Sequence, residues 1–329
     1  MRGSAFLLVR GSDNSGAVML SSAIVLGPQR REPIVCEAVD HFESDRTKPV
    51  AVITAGWEER EDEDEELREH VCRPVENLKL WARVERVFEK DKQLHEAIRE
   101  RHTRWKRAQE LYRLRLDGLM GASKELLRQS GQDEMAAAEE QDAWELVRGL
   151  DRQHMARIEQ IHRDFVDTHK PAERAAVQTE RQGIEKQLSS VACLLVAGGH
   201  IGVLLHRLQL FDLFALWGDR PLIAWSAGAM ALSERVVLFH DEPPQGSSYA
   251  EVMEAGFGLL PDFVALPHAR HRLQTDDSVR VRMLSRRFAP AKCALLDYGA
   301  RFDWRDGKWT GHSGSRELGF DGLVEEVSQ

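Results

Sequence analysis

One hydroxyl, Ser226, follows the apolar run Pro221–Trp225 and precedes Ala227-Gly228-Ala229. A serine hydroxyl is a weak nucleophile until a neighbouring base takes its proton. A sharp turn from strand to helix would lift Oγ clear of a sheet and aim a helix N-terminus at developing negative charge. Such a turn packs tightly and needs small neighbours. The segment Ala224-Trp225-Ser226-Ala227-Gly228 lacks the first glycine of the GxSxG pattern, with Ala224 the next smallest choice. A buried structural serine is the competing reading.

Two further stretches could complete such a site. In LLVAGGHIGVLL, Gly198 and Gly199 end one apolar run and begin a helical one. A backbone N–H there, with that of Ala227, would form an oxyanion hole. A phosphate-binding turn is the rival, but GxGxxG and a P-loop lysine are both missing. His200 borders the site or is an ordinary loop histidine. In LPHARHRL, His268 follows a short apolar strand and is the first choice of general base, with His271 competing. Arg270 and Arg272 would hold a substrate carboxylate by paired hydrogen bonds, or simply form a solvated basic turn. The orienting acid falls to Asp241 or Glu242 in FHDEPP, His240 beside them being secondary; Asp297 is the reserve, or else shapes the turn before Gly299. This chemistry requires no metal and no cofactor. HMARIEQIH lacks the HExxH form, its two histidines standing eight apart.

These residues need elements to hold them. SAIVLG (22–27), PVAVITAG (49–56), VACLLVAGG (191–199) and PLIAW (221–225) read as continuous apolar strands, as in a parallel sheet covered on both faces. Helices are expected at 33–42, after Gly199, from Ala227 and at 279–288, with late strands at 293–297 and 300–304, the second a candidate for antiparallel pairing. Between the strands lies a different texture. Nine acidic residues between Glu58 and Glu69 read as a solvated face at a helix start. Leu78, Trp81, Val84 and Phe88, then Trp105, Ala108 and Tyr112, then Trp144, Val147, Ile158, Ile161 and Phe165 form amphipathic stripes. They predict long helices broken near 118–123, near Gly131 and near 168–171. The division is a flexible extension over 1–21, the first part of an α/β domain over 22–57, a helical insertion over 58–189, and the rest of the α/β domain over 190–329.

The chain has 329 residues, 42% of them hydrophobic, and a formal net charge of −9. That length supports a large core, and that charge argues against broad nucleic-acid binding. No apolar run reaches the ~18 residues of a membrane span, and the apolar part of MRGSAFLLVRGSDNSG is too short for a secretory signal. Cys36, Cys72, Cys193 and Cys293 form no CxxC and read as reduced, mostly buried thiols, so a cytoplasmic protein is expected.

Together, AWSAGA (224–229), Ala197-Gly198-Gly199 and GFGLLPDFVALPH (256–268) resemble the serine peptidase family that contains aspartyl dipeptidase (peptidase E) and cyanophycinase, peptidase S51. The resemblance covers about 23–57 and 191–305 and is concentrated in the nucleophile and histidine segments. It implies a flavodoxin-like or class I glutamine-amidotransferase-like three-layer α/β sandwich around a parallel sheet. The family's GxSAG(A/S) nucleophile falls on Ser226, and its histidine on His268, forty-two residues later. Its oxyanion glycines fall on Gly198 and Gly199, its acid on Asp241 or Glu242, and its later arginines resemble Arg270 and Arg272. Leu296-Asp297-Tyr298 keeps only part of the family's late Asp-Glu strand. The activity implied is hydrolysis of a peptide or small amide by a serine-type, acyl-enzyme route. The helical middle departs from compact members; it leaves the substrate open and could cap the pocket, form a homo-oligomer or dock a protein partner. A non-catalytic α/β scaffold built around those helices is the alternative.

Overall fold

The structure, a computed structural model, describes residues 20–239 and 249–327. The expected extension 1–21 therefore falls almost wholly outside the described residues, as do His240, Asp241 and Glu242. Five strands, β1 (Ser22–Leu26), β2 (Val50–Ile53), β3 (Val75–Asn77), β4 (Leu194–Val196) and β5 (Leu222–Trp225), pair in parallel in the order β1-β5-β4-β2-β3. β6 (Arg235–Leu238) and β7 (Glu251–Ala255) form an antiparallel pair. β8 (Phe263–Pro267) and β9 (Lys292–Leu296) pair in parallel. β10 (Arg301–Arg305) adds antiparallel to β1, as the sequence allowed, and β11 (Lys308–Gly311) follows it. β12 (Arg316–Leu318) and β13 (Val324–Glu326) complete the β8–β9 sheet.

Period-two alternation explains the layers. Ala23, Val25, Ala51, Ile53, Leu222 and Ala224 face one core, while Ile24, Leu26, Val50, Val52, Ile223 and Trp225 face another. Both faces are apolar, so both must be covered by helices. On one side lie α1 (Val35–Phe42) and α2 (Glu65–Val71). On the other are α3 (Leu80–Lys90), the start of α4 (Lys92–Gln129), the end of α5 (Glu134–His169), α6 (Ala175–Leu188), α7 (Ile201–Leu210), α8 (Leu213–Trp217) and α9 (Ala227–Leu232). The expected three-layer α/β arrangement around a parallel sheet is present. Its strand order is not that of flavodoxin, where the first strand sits between the second and third; here β1 lies between β5 and β10.

The segment 58–189 is not helical throughout. β3 lies within it and pairs with β2, so the helical excursion leaves the sheet only after Asn77. Three residues are too few to display a strand period. The break expected at 118–123 is also absent, because α4 runs straight through it. A β-carbon on Gly118 or Gly121 would meet nothing within 4 Å. These glycines are merely poor helix formers, at roughly 1 kcal/mol each, on a helix that packs along α5. The breaks near 131 and 170 are real. Asp133 caps α5 by accepting from Ala136 N–H at 2.8 Å, and Lys170 closes it in a left-handed conformation. α4 and α5 are antiparallel, with Arg104 bonded to Asp164, Tyr112 to Asp151 and Arg115 to Gln153.

The hairpin is tied to the body by buried polar groups. Arg287, on α11 (Ser278–Phe288) after the short α10 (Ala269–Arg272), donates to both oxygens of Asp151 at 2.8 Å and to Tyr112 Oη at 2.7 Å. Tyr112 Oη in turn accepts from Val252 N–H of β7. Farther along α5, His162 bonds Glu254 of β7 at 2.7 Å, and Gln209 of α7 donates to the same carboxylate. Cys193 and Cys293 are buried, and burial pushes both thiols up to about 12, whereas Cys72 is exposed. Among the described residues no helix is long and apolar enough to cross a membrane.

Candidate active site

β5 ends at Trp225 and α9 begins at Ala227, leaving Ser226 alone to make the turn. It does so at φ +52° and ψ −122°, a region that costs a non-glycine residue about 1–3 kcal/mol and that clusters at functional sites. The neighbouring glycines are there for want of space. A β-carbon on Gly198 would lie 2.8 Å from Ser226 Cβ and 3.5 Å from its Oγ, and one on Gly228 would collide with the Val196 carbonyl. Gly199, at φ +117°, lies against Gly56 in the helical turn that follows β2, where His200 N–H donates to the Gly56 carbonyl at 2.7 Å. His200 itself caps α7, its Nδ1 accepting from Val203 N–H at 3.2 Å.

His268 sits just past β8, at φ +57° and ψ +37°. Its N–H donates to the Leu296 carbonyl at 3.0 Å. Because Pro267 is opposite Leu296 in the parallel register, His268 and Asp297 leave their strands side by side. The C-terminal ends of β4, β5 and β8 thus converge, the usual location of a ligand site in an open α/β sheet. There a cavity of about 850 Å³ is lined by Ser226, His268, Gly198, Gly199, Ala227 and Arg272, among others. Among the described residues no hydrogen bond joins Ser226 to His268; they meet as walls of one cavity.

Half-burial holds the His268 imidazole below its ordinary pKa, Arg272 and His271 add to this, and the Asp297 carboxylate opposes it. That lowering favours the neutral ring, the state a general base requires. Burial also lowers Arg272, and among the described residues no carboxylate pairs with it. Arg270 is placed differently: its side chain is 68% exposed, and it borders a separate cavity of about 100 Å³ with His268, His271, Asp297, Tyr298 and Glu32. The Arg270 N–H donates to Asp297 Oδ1 at 2.9 Å, and Arg316 donates to Oδ2 at 2.8 Å. Among the described residues no group of three or more His, Cys, Asp or Glu is placed to hold a metal ion.

Sequence reading missed part of the cavity wall. Arg30, Arg31, Trp57, Arg60, Glu63 and His70 line it, from the segments after β1 and β2 and from α2. The only signal was that Gly27 and Gly56 end apolar strands. The acidic run is also less solvated than expected. Glu61 is buried and accepts from the Trp81 and Ala82 N–H groups at 2.9 and 3.0 Å, capping α3, while Asp64 pairs with Arg68 and accepts from Asn77. Burial raises the Glu61 pKa, and those two N–H bonds oppose the rise.

No protein-family model and no curated protein sequence matches the chain. Among solved structures it is similar to a candidate peptidase E protein from Listeria monocytogenes EGD-e, at 11% identity and TM-score 0.44, covering 89% of this chain and 98% of that one. It is also similar to a peptidase from an acI-B1 Actinobacterium, at 14% identity and TM-score 0.41, covering 95% of this chain and 97% of that one. Likeness at this level transfers no chemistry to this chain.

Proposed function

We propose that the chain is a serine-type hydrolase of a peptide or related amide bond. The observation behind this reading is the strained turn that sets Ser226 at the rim of the cavity that His268 also lines. His268 takes the Ser226 proton as Oγ attacks the carbonyl carbon, giving a tetrahedral oxyanion and an imidazolium. The N–H groups of Gly199 and Ala227 receive the oxyanion. The imidazolium then protonates the departing amine as the C–N bond breaks, and water, deprotonated by the same ring, releases the acyl group. The hydroxyl–imidazole contact closes on substrate entry, since catalytic hydrogen bonds are commonly loose in an empty site. Arg272, unpaired with any described carboxylate, faces the substrate. The acids expected at 241 and 242 lie outside the described residues and remain candidates for orienting His268.

A fluorophosphonate probe tests the reading. It labels the wild-type chain at Ser226 and leaves Ser226→Ala unlabelled; a folded wild-type chain that stays unlabelled beside an active control hydrolase overturns it. A scaffold role is the second reading, favoured by Leu114 and Leu146 on the helical hairpin, 73% and 61% exposed. In that case labelling is absent, while Leu114→Lys with Leu146→Lys changes the state of association.

A further inference from the structure

His268 borders both cavities, whereas Ser226 lines only the large one and Asp297 only the small one. His268 and Tyr298 are thus shared by the two cavities, and the His268 ring lies within electrostatic reach of the Asp297 carboxylate. That carboxylate is fixed at each oxygen: Oδ1 by the Arg270 N–H at 2.9 Å, and Oδ2 by the Arg316 guanidinium at 2.8 Å. The two anchors differ in kind. The Arg270 N–H belongs to the turn that carries His268, so it comes with the histidine. Arg316 arrives from β12, opposite Leu295 across the β9 ladder, and its side chain is only 23% exposed.

We infer that Arg316 is a positioning residue that acts on His268 through Asp297, resting on the proposed role of His268 as base. It pins the carboxylate beside the small cavity and offsets part of its charge, so the imidazole feels a fixed but moderated negative field. Among the described residues, the other charged or titratable groups that share the small cavity with His268 or act on its ring are Arg270, His271 and Arg272 from its own turn, Tyr298 beyond β9, and Glu32 beyond β1. None of them is bonded to Asp297 by a charged side chain as closely as Arg316, Arg270 Nε lying 3.8 Å away.

The test is an NMR titration of the full chain carrying isotope-labelled histidine, with the His268 signal assigned by His268→Gln. Arg316→Gln exposes the carboxylate charge and raises the His268 pKa, while the fluorophosphonate labelling rate falls several-fold because Oδ2 of the carboxylate is no longer held. Arg316→Lys restores most of both. Asp297→Asn lowers the pKa, and adding Arg316→Gln to it changes nothing further. A His268 titration that is the same in folded Arg316→Gln and wild type overturns the inference, as does an Arg316→Gln shift that persists in the Asp297→Asn background. Should Arg316→Gln fail to fold, the Lys and Asn variants decide: failure of Asp297→Asn to lower the His268 pKa overturns the inference equally. The titration needs no turnover. A shifted titration with no labelling of wild type thus rejects the hydrolase reading and leaves the electrostatic link standing.

Discussion

Gly198 and Ser226 are packed so closely that a single methyl group does not fit between them: an added β-carbon would stand 2.8 Å from Ser226 Cβ. The end of β4 is thereby a template for the turn that follows β5. Gly198→Ala should displace the hydroxyl while the sheet persists, cutting the labelling rate by about 100-fold, the scale of a 1 Å misplacement. Unchanged far-UV circular dichroism with slowed labelling is the expected pair of readings.

Ser226→Ala removes the attacking atom. Turnover of any amide or ester substrate should fall by at least about 10⁴-fold, with the unfolding midpoint unchanged or raised. Steady-state kinetics and a thermal melt check the two parts; residual turnover near wild type would move the chemistry elsewhere.

The pH dependence follows from the neutral imidazole. Burial and Arg272 hold His268 below the ordinary 6.5, so the labelling rate should be full at neutral pH and decline only at pH values below that. Arg272→Gln removes a neighbouring cation, raises the His268 pKa and moves the acid limb upward. A rate profile from pH 4.5 to 8.5 measures both, and an acid limb above 6.5 in wild type would contradict the placement of the base.

Arg287 is fully buried against Asp151 and Tyr112. Arg287→Met leaves the Asp151 carboxylate buried without its counter-ion and should cost about 3–5 kcal/mol of stability. Urea denaturation with an unchanged m-value is the expected signature. An equal loss from Arg107→Met, whose side chain and that of its partner Glu110 are both mostly exposed, would argue that general surface charge is responsible.

What could be read from the amino-acid order was what short-range pattern determines. β2, β4 and β5 stood out as unbroken apolar runs because both of their faces are buried. The placing of Ser226 and His268 at strand ends was legible because each follows such a run. Asp297 stood out only as a reserve acid, because its proximity to His268 depends on the β8–β9 register, a pairing between segments 29 residues apart. Glu61 looked like one more solvated acid; its burial depends on where α3 starts. Gly118 and Gly121 suggested a break that packing against α5 overrides.

The charged fastening between the long helical pair and the sheet body also bears on ancestry. Arg287 and Glu254 belong to the body but find their partners, Asp151 and His162, on the arm. A cousin lacking that arm would keep Gln209 beside Glu254 and the Ala250 carbonyl beside Arg287, but would leave Arg287 without its carboxylate and Glu254 without its imidazole, and selection should have replaced them. Arginine and glutamate at those two places therefore serve as a tell-tale by which the arm can be inferred in distant sequences, even where its own residues have drifted beyond recognition.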